Sequence, residues 1–155
     1  MTLYRVATPF AEYVWPRRIY DNVMPMDENL FDHRSWLKGD SFLQTPSWFM
    51  PTAFFNTVKF DATFPHDDWD FLLRATYQFK ARIVTVTEPL TIFHTEEPRQ
   101  SLSNLSRWRA SCIWVEYLRG IVGRRASSGF YLTMLGGQAG RAKRSHPDPD
   151  RCLRY

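Results

Sequence analysis

The chain has 155 residues, of which 44% are hydrophobic and 23% are charged, and its net charge is +4. This length supports one domain with a hydrophobic core, and the composition is that of an ordinary globular protein rather than a low-complexity one. No apolar run approaches the ~18 residues of a bilayer-spanning helix, and residues 1–10 lack the basic start and apolar block of a secretory signal.

Basic residues cluster in short groups such as Arg17-Arg18 and Arg124-Arg125. Such groups favour anionic partners, although a solvated basic surface explains them equally well. Basic and aromatic residues do not interleave along one element, so we expect no nucleic-acid partner. The two cysteines, Cys112 and Cys152, form neither a disulfide framework nor a metal-ligand spacing, which fits a reducing cytoplasm.

In the first half of the chain, residues 3–7 are predicted to form a short buried strand. Prolines make residues 8–25 irregular. An aspartate is placed to cap a helix over residues 27–37, and an extended segment over 41–50 is interrupted by a proline. A second proline suits the first turn of a short helix over 51–58.

The second half begins with a helix over residues 67–79, whose apolar residues recur at helical spacing. Two β-branched runs, 81–87 and 90–94, predict two strands. Longer helices over 104–118 and 125–142 follow, separated by glycines. The pattern predicts an α/β fold: an open mixed sheet flanked by helices, with a C-terminal helical pair.

We expect one domain over residues 1–144 and a disordered tail over 145–155. Cys112 falls in the apolar pattern of the penultimate helix, which predicts a buried side chain.

Three acids, Asp67, Asp68 and Asp70, open the helix over 67–79. A carboxylate at a helix N-terminus is favoured in its ionised form by the helix dipole and the free N–H groups. Such a carboxylate can remove the proton from an attacking hydroxyl group. Acids in a first turn are also ordinary capping residues, and spacing alone favours that interpretation.

Other side chains suit sugar or phosphate contacts. Trp48 and Trp69 can stack on a sugar ring or lie in the core. Arg99, in a loop with several serines, suits phosphate contacts or local hydrogen bonds. His94 ends the run LTIFH, where it is either a ligand or a half-buried histidine that is hydrogen-bonded to the loop.

The segment HDDWDFLLRA, preceded by ENLFDHRSWLKGDSFLQTPSWFMPTAFFNTVKFDATFP and followed by VTEPLTIFHTEEPRQSLS, resembles the acceptor-side half of a family 2 glycosyltransferase. The similarity covers roughly residues 14–143. It implies a partial GT-A-like sheet and a single inverting displacement that transfers a sugar from a nucleotide-sugar donor to a carbohydrate acceptor. In that family the acid immediately before the tryptophan is the expected base, which is Asp68 here.

The same resemblance places Asp67 and Trp69, together with Trp48, on the acceptor side. His94 and Arg99 are then candidates for contacts with the leaving diphosphate, and His94 is also a candidate ligand of a divalent metal, Mn²⁺ or Mg²⁺. The family's nucleotide-binding half, with its Asp-x-Asp element, has no counterpart in this sequence.

Most of the metal's ligands would therefore come from that missing half, which is a candidate partner as a separate chain. We accordingly expect the isolated chain to bind nucleotide sugars weakly or not at all. Peripheral contact with the inner face of a membrane is compatible with a cytoplasmic enzyme of this type. The alternative is a non-catalytic fragment that binds a glycan, a membrane surface or a partner subunit.

Overall fold

The computed structural model describes residues 1–31, 43–94 and 108–135, and within these ranges the architecture is mixed α/β. The strands are β1 (Thr2–Ala7), β2 (Glu12–Trp15) and β3 (Val86–His94). The helices are α1 (Met26–Phe31), α2 (Thr52–Val58), α3 (Asp67–Tyr77), α4 (Trp108–Tyr117) and α5 (Arg124–Phe130). The general α/β class predicted from the sequence is confirmed.

The three strands form one mixed sheet in the order β2-β1-β3. β1 pairs antiparallel with β2 and parallel with β3, so Tyr4 lies opposite both Trp15 and Thr91. The central strand β1 is buried except at Arg5, as expected for a strand with neighbours on both edges. The prediction of a mixed sheet is confirmed, and so is the buried strand near the start of the chain.

The strand predicted over 81–87 is wrong for residues 81–85, which lie in no strand. Residues 86–87 and the predicted strand over 90–94 belong to one strand, β3. The sequence suggested a break because Pro89 cannot donate to a strand ladder. In the structure Pro89 lies opposite Leu3, where the β1–β3 register shifts. The register shift at this pair accommodates Pro89, and β3 continues beyond it to His94.

Two further predictions about strands are wrong. β2 lies within residues 8–25, which were predicted to be irregular, and four residues between prolines give too short an alternation to detect. The extended segment predicted over 41–50 contains a 3₁₀ turn, Thr45–Ser47, in its described part, with Pro46 in the turn. The fixed φ of proline suits that turn better than a strand.

The helices largely follow the prediction. α3 begins at Asp67, α2 follows Pro51, and α5 follows Gly123. A 3₁₀ turn, Leu118–Gly120, separates α4 from α5, and a π-helical segment, Tyr131–Leu135, continues α5. The helix predicted over 67–79 ends two residues early, because residues 78 and 79 form a turn. The remaining parts of the other predicted helices and the tail over 145–155 lie outside the described residues.

α3 lies between two clusters of apolar side chains. One face packs against α1, α4 and α5, in a cluster that includes Phe31, Trp114 and Phe130. The other face contributes Phe71 and Ala75 to a smaller cluster with α2. Because a fully buried large apolar side chain stabilises a fold by about 1.5–3 kcal/mol, α3 is the main organising element of the helical layer.

Asp27 joins three helices rather than capping one. It lies inside the first turn of α1, where its buried carboxylate accepts hydrogen bonds from the Tyr77 hydroxyl group and, at 2.7 Å, from the Gly123 backbone N–H. A Cβ atom at position 123 would lie 3.4 Å from Asp27 Oδ2. The cap predicted from the sequence is therefore a tertiary contact between α1, α3 and the start of α5.

Asn22 ties the segment before β3 to the first part of the chain. Its side chain donates to the Ile83 carbonyl group and accepts from the Ile83 N–H, both at 2.8 Å. Its φ of 62° lies in the left-handed region, which asparagine tolerates better than most residues. A side-chain amide thus supplies the pairing that a neighbouring strand would otherwise provide.

Cys112 is buried as predicted, with 7% of its surface exposed. The expectation of unpaired cysteines is wrong for this residue, because its sulfur is disulfide-bonded. Cysteine usage therefore no longer supports a reducing compartment. Among the helices described, none combines the length and the apolar character needed to cross a membrane.

Candidate active site

The two acids that open α3 differ in environment. Asp67 is exposed, whereas Asp68 is half-buried. Asp68 Oδ1 accepts a hydrogen bond from the Trp69 N–H at 2.8 Å, and Asp67 Oδ1 accepts one from the Asp68 N–H at 3.0 Å. Both carboxylates thus occupy N–H groups of the first helical turn that would otherwise lack a partner.

Burial raises the pKa of the Asp68 carboxyl group above its ordinary value. The Trp69 N–H opposes this shift by stabilising the anion, and the negative charge of Asp67 reinforces it. A carboxylate with a raised pKa is a stronger base than an ordinary aspartate. Asp68 is therefore the better placed of the two acids to take a proton from a hydroxyl group.

His66 anchors this turn, a role that the sequence did not reveal. The residue is buried, and its Nε2 lies 2.8 Å from Ser111 Oγ on α4. Its ring stacks on Trp69 with the centroids 4.8 Å apart and the planes 7° apart. Burial lowers the pKa of His66 to about 4, so the imidazole is neutral at pH 7. The sequence did contain one indication that His66 faces the core, because positions 66, 69, 70 and 73 share a helix face.

Asp70, the third acid of the turn, has a structural role. Its Oδ2 accepts from Arg74 Nε at 2.7 Å, and its Oδ1 accepts from Trp114 Nε1 at 3.3 Å. Arg74 also donates to the carbonyl groups of Val58 and Lys59. Asp70 holds the neighbouring Arg74 cation, and its buried carboxylate links α3 to α4 and, through Arg74, to the end of α2.

The two candidate sugar-stacking tryptophans lie in different surroundings. Trp69 is only 4% exposed, and its ring contacts His66, Phe31 and Trp114. This placement argues against direct stacking of Trp69 on a sugar, and we treat Trp69 as part of the core. Trp48 is half-buried between aromatic neighbours and lines a cavity, which leaves part of its ring accessible.

The diphosphate and metal candidates are not joined to Asp68 by any contact among the described residues. His94 is exposed at the end of β3, opposite Ala7. Arg99 lies outside the described ranges. Residues 1–31, 43–94 and 108–135 contain no group of three histidine, cysteine or acidic side chains that could hold a metal ion.

A cavity of about 320 Å³ lies beside α3, on the side of the helix that faces α2. Its described lining is almost entirely apolar, and the aromatic walls are Trp48, Phe54 and Phe71. Pockets of this size and character commonly hold small organic ligands.

Comparisons with protein-family models, with curated proteins and with solved structures found no match to this chain.

Proposed function

We propose that this chain forms the acceptor side of a glycosyltransferase site of the family 2, GT-A type, with Asp68 as the general base. Asp68 would take the proton from an acceptor hydroxyl group while that oxygen attacks the anomeric carbon of a nucleotide-sugar donor. The nucleoside diphosphate would leave from the opposite face, so the anomeric configuration would invert.

The observation that supports this proposal best is the environment of Asp68. Its carboxylate is half-buried, its pKa is raised by burial, and it lies at the N-terminus of a helix whose first turn is held in place by His66 and Asp70. A general base needs a fixed position and a pKa nearer to the working pH than that of an exposed carboxylate. The exposed Asp67 lacks this combination.

A divalent metal, Mn²⁺ or Mg²⁺, would steady the leaving diphosphate when bound, and His94 is the candidate ligand from this chain. His94 and Arg99 remain candidates for diphosphate contacts. The donor contacts would come from a separate nucleotide-binding chain, so nucleotide sugars should bind weakly or not at all to this chain alone. Calorimetric titration with UDP- and GDP-sugars in the presence of Mn²⁺ measures this directly, and tight binding would contradict it.

The test of the base is a transfer assay with Asp68→Asn, made in a preparation in which the unsubstituted chain transfers sugar. We expect the rate of sugar transfer to fall by roughly 10²–10⁴-fold, because general-base catalysis contributes about that much. Asp67→Asn is the matched control, since it removes an adjacent, exposed carboxylate and should reduce the rate far less. Unchanged transfer by Asp68→Asn would overturn the assignment.

A second candidate function is a non-catalytic module that binds a partner subunit. Exposed apolar side chains on the sheet favour it, among them Leu90 at 62% and Ile92 at 55% exposure. Exposed apolar patches commonly mark interaction surfaces. Absence of transfer with every donor and acceptor, combined with stable association with a partner protein, would favour this candidate over the enzyme.

A further inference from the structure

We propose that the cavity beside α3 seats an apolar aglycone, an alkyl or aryl group joined to the acceptor sugar, while the sugar itself lies at Asp68. This inference rests on the proposed function for the placement of the sugar. The binding of the aglycone depends only on the cavity.

The geometry of α3 connects the base to the cavity. Phe71, Leu72 and Ala75 line the cavity, and they follow Asp68 by three, four and seven residues. Residues at these spacings lie on one face of an α-helix. With a rise of 1.5 Å per residue, the lining begins about one turn, roughly 5 Å, beyond Asp68 along the same face. A ligand placed along this face would meet the carboxylate first and the cavity next.

The walls of the cavity select an apolar group. Beyond α3, the lining includes Trp48, Phe54 and Ile83, and Arg82 is the one charged side chain among the described lining residues. A bare sugar would have to give up hydrogen bonds to water without replacing them in such surroundings, which is costly. An alkyl or aryl group loses no hydrogen bonds there and gains from leaving water.

The two environments match the two parts of one acceptor. The N-terminus of α3 offers carboxylate oxygens to hydroxyl groups, and the cavity offers an apolar space of about 320 Å³. Cavities near this size hold small ligands with most of their surface covered. The acceptor class is therefore a glycoside with an apolar aglycone rather than a free sugar or an unmodified glycan.

The experiment measures binding of an alkyl glucoside series to the whole chain by NMR titration, below the micelle concentration of each glucoside. Glucose should bind too weakly to detect. Each methylene added from butyl to octyl glucoside should tighten binding by roughly fourfold, the value expected for burying one methylene group. Affinity that does not depend on chain length would overturn the inference.

Two variants locate the bound group. Val84→Glu places a charge at a lining residue that is 72% exposed, and it should weaken binding of octyl glucoside by at least tenfold without disturbing the fold. Val23→Glu is the matched control, because Val23 is 85% exposed and does not line the cavity. Ala75→Leu should fill the cavity and weaken binding as well. If circular dichroism shows that Ala75→Leu does not fold, binding of octyl glucoside to Val84→Glu decides whether the cavity is the site.

A further variant separates this inference from binding elsewhere on the molecule. Ile92→Glu, on the exposed face of the sheet, should leave binding of octyl glucoside unchanged. Binding that is lost in Ile92→Glu but kept in Val84→Glu would place the ligand on the sheet and overturn the inference.

The transfer assay then distinguishes failure of the two proposals. Chain-length-dependent binding, combined with a transfer rate that Asp68→Asn leaves unchanged, would reject Asp68 as the base and leave the ligand site standing. Transfer that proceeds equally well to glucose and to octyl glucoside would reject the aglycone site and leave the transferase function standing.

Discussion

The helical layer and the sheet bury their apolar side chains to very different extents. Around α3, the side chains of Phe31, Trp114 and Phe130 are fully buried, and their rings meet at centroid distances of 5.2 to 6.0 Å. On the sheet, Leu90 and Ile92 are more than half exposed. The same chain thus contains a closely packed aromatic core and a strand whose apolar side chains face solvent.

The charged side chains of the helical layer and of the sheet also differ in how far they are buried. In the helical layer, buried charges have partners of opposite charge or hydrogen-bond donors, as with Asp70 and Arg74. On the sheet, Arg5 and Glu12 form an exposed pair at 3.7 Å, on the face that Arg5 shares with Val14 and Ile92. The helical layer thus buries its large aromatic side chains and pairs its buried charges, whereas Val14 and Ile92 on the sheet are exposed.

The largest effect should come from breaking the buried ion pair. Asp70→Ala leaves the Arg74 guanidinium group without its carboxylate and Trp114 Nε1 without its acceptor. We expect the free energy of unfolding to fall by roughly 3–5 kcal/mol, the usual cost of leaving a buried charge unpaired. Urea denaturation followed by circular dichroism measures the change.

The matched control for Asp70→Ala is a variant of the exposed ion pair on the sheet. Glu12→Ala removes an ion pair whose side chains are 46% and 62% exposed, so the loss should be under about 1 kcal/mol. Equal losses for the two variants would contradict the contrast between the helical layer and the sheet.

The second prediction concerns the response of the helical layer to pH. The pKa of His66 is about 4 in the folded protein and about 6.5 in an unfolded chain. Between these values the unfolded state binds a proton that the folded state does not, so stability is complete above pH 6.5 and declines as the pH falls towards 4. The total loss from this residue should be about 3 kcal/mol.

His66→Gln isolates that contribution, because glutamine can still hydrogen-bond to Ser111 but does not titrate. Urea midpoints of the two proteins, measured from pH 7.5 to pH 4, should converge as the pH falls. A constant difference between them would show that His66 does not titrate in this window.

The smallest effect on stability should come from the exposed strand. Ile92→Thr keeps a β-branched side chain and removes an exposed apolar group, so the free energy of unfolding should change by less than about 0.5 kcal/mol. If the sheet face binds other protein surfaces, the same change should reduce self-association measured by light scattering. A large loss of stability would show that Ile92 is covered by the protein's own residues.

Much of the helical layer was predictable because its signals are local. Apolar periodicity indicated α3, Pro51 indicated the start of α2, and glycines indicated the break before α5. The sheet was harder to predict because pairing depends on residues far apart in sequence. Only the register with Leu3 shows how β3 accommodates Pro89, and β2 is defined by its pairing with β1.

In the candidate site, too, local features could be predicted from the sequence, whereas features that depend on tertiary packing could not. The motif His-Asp-Asp-Trp-Asp indicated by itself that acids would open a helix, since side-chain oxygens close to free N–H groups favour that position. Tertiary packing decided that Asp67 is exposed, that Asp68 is half-buried and that Asp70 is ion-paired. The sequence alone did not distinguish the environments of Asp67, Asp68 and Asp70.

The sequence by itself determined where α3 begins, which of its faces are apolar and that three carboxylates lie in its first turn. Tertiary structure decided that His66 is a neutral anchor on Ser111, that Asp27 joins α1 to α3 and α5, and that an apolar cavity lies beside α3. The physical reason is that helix formation and capping depend on residues within a few positions. Burial, hydrogen bonding and pKa depend on neighbours that only folding brings together.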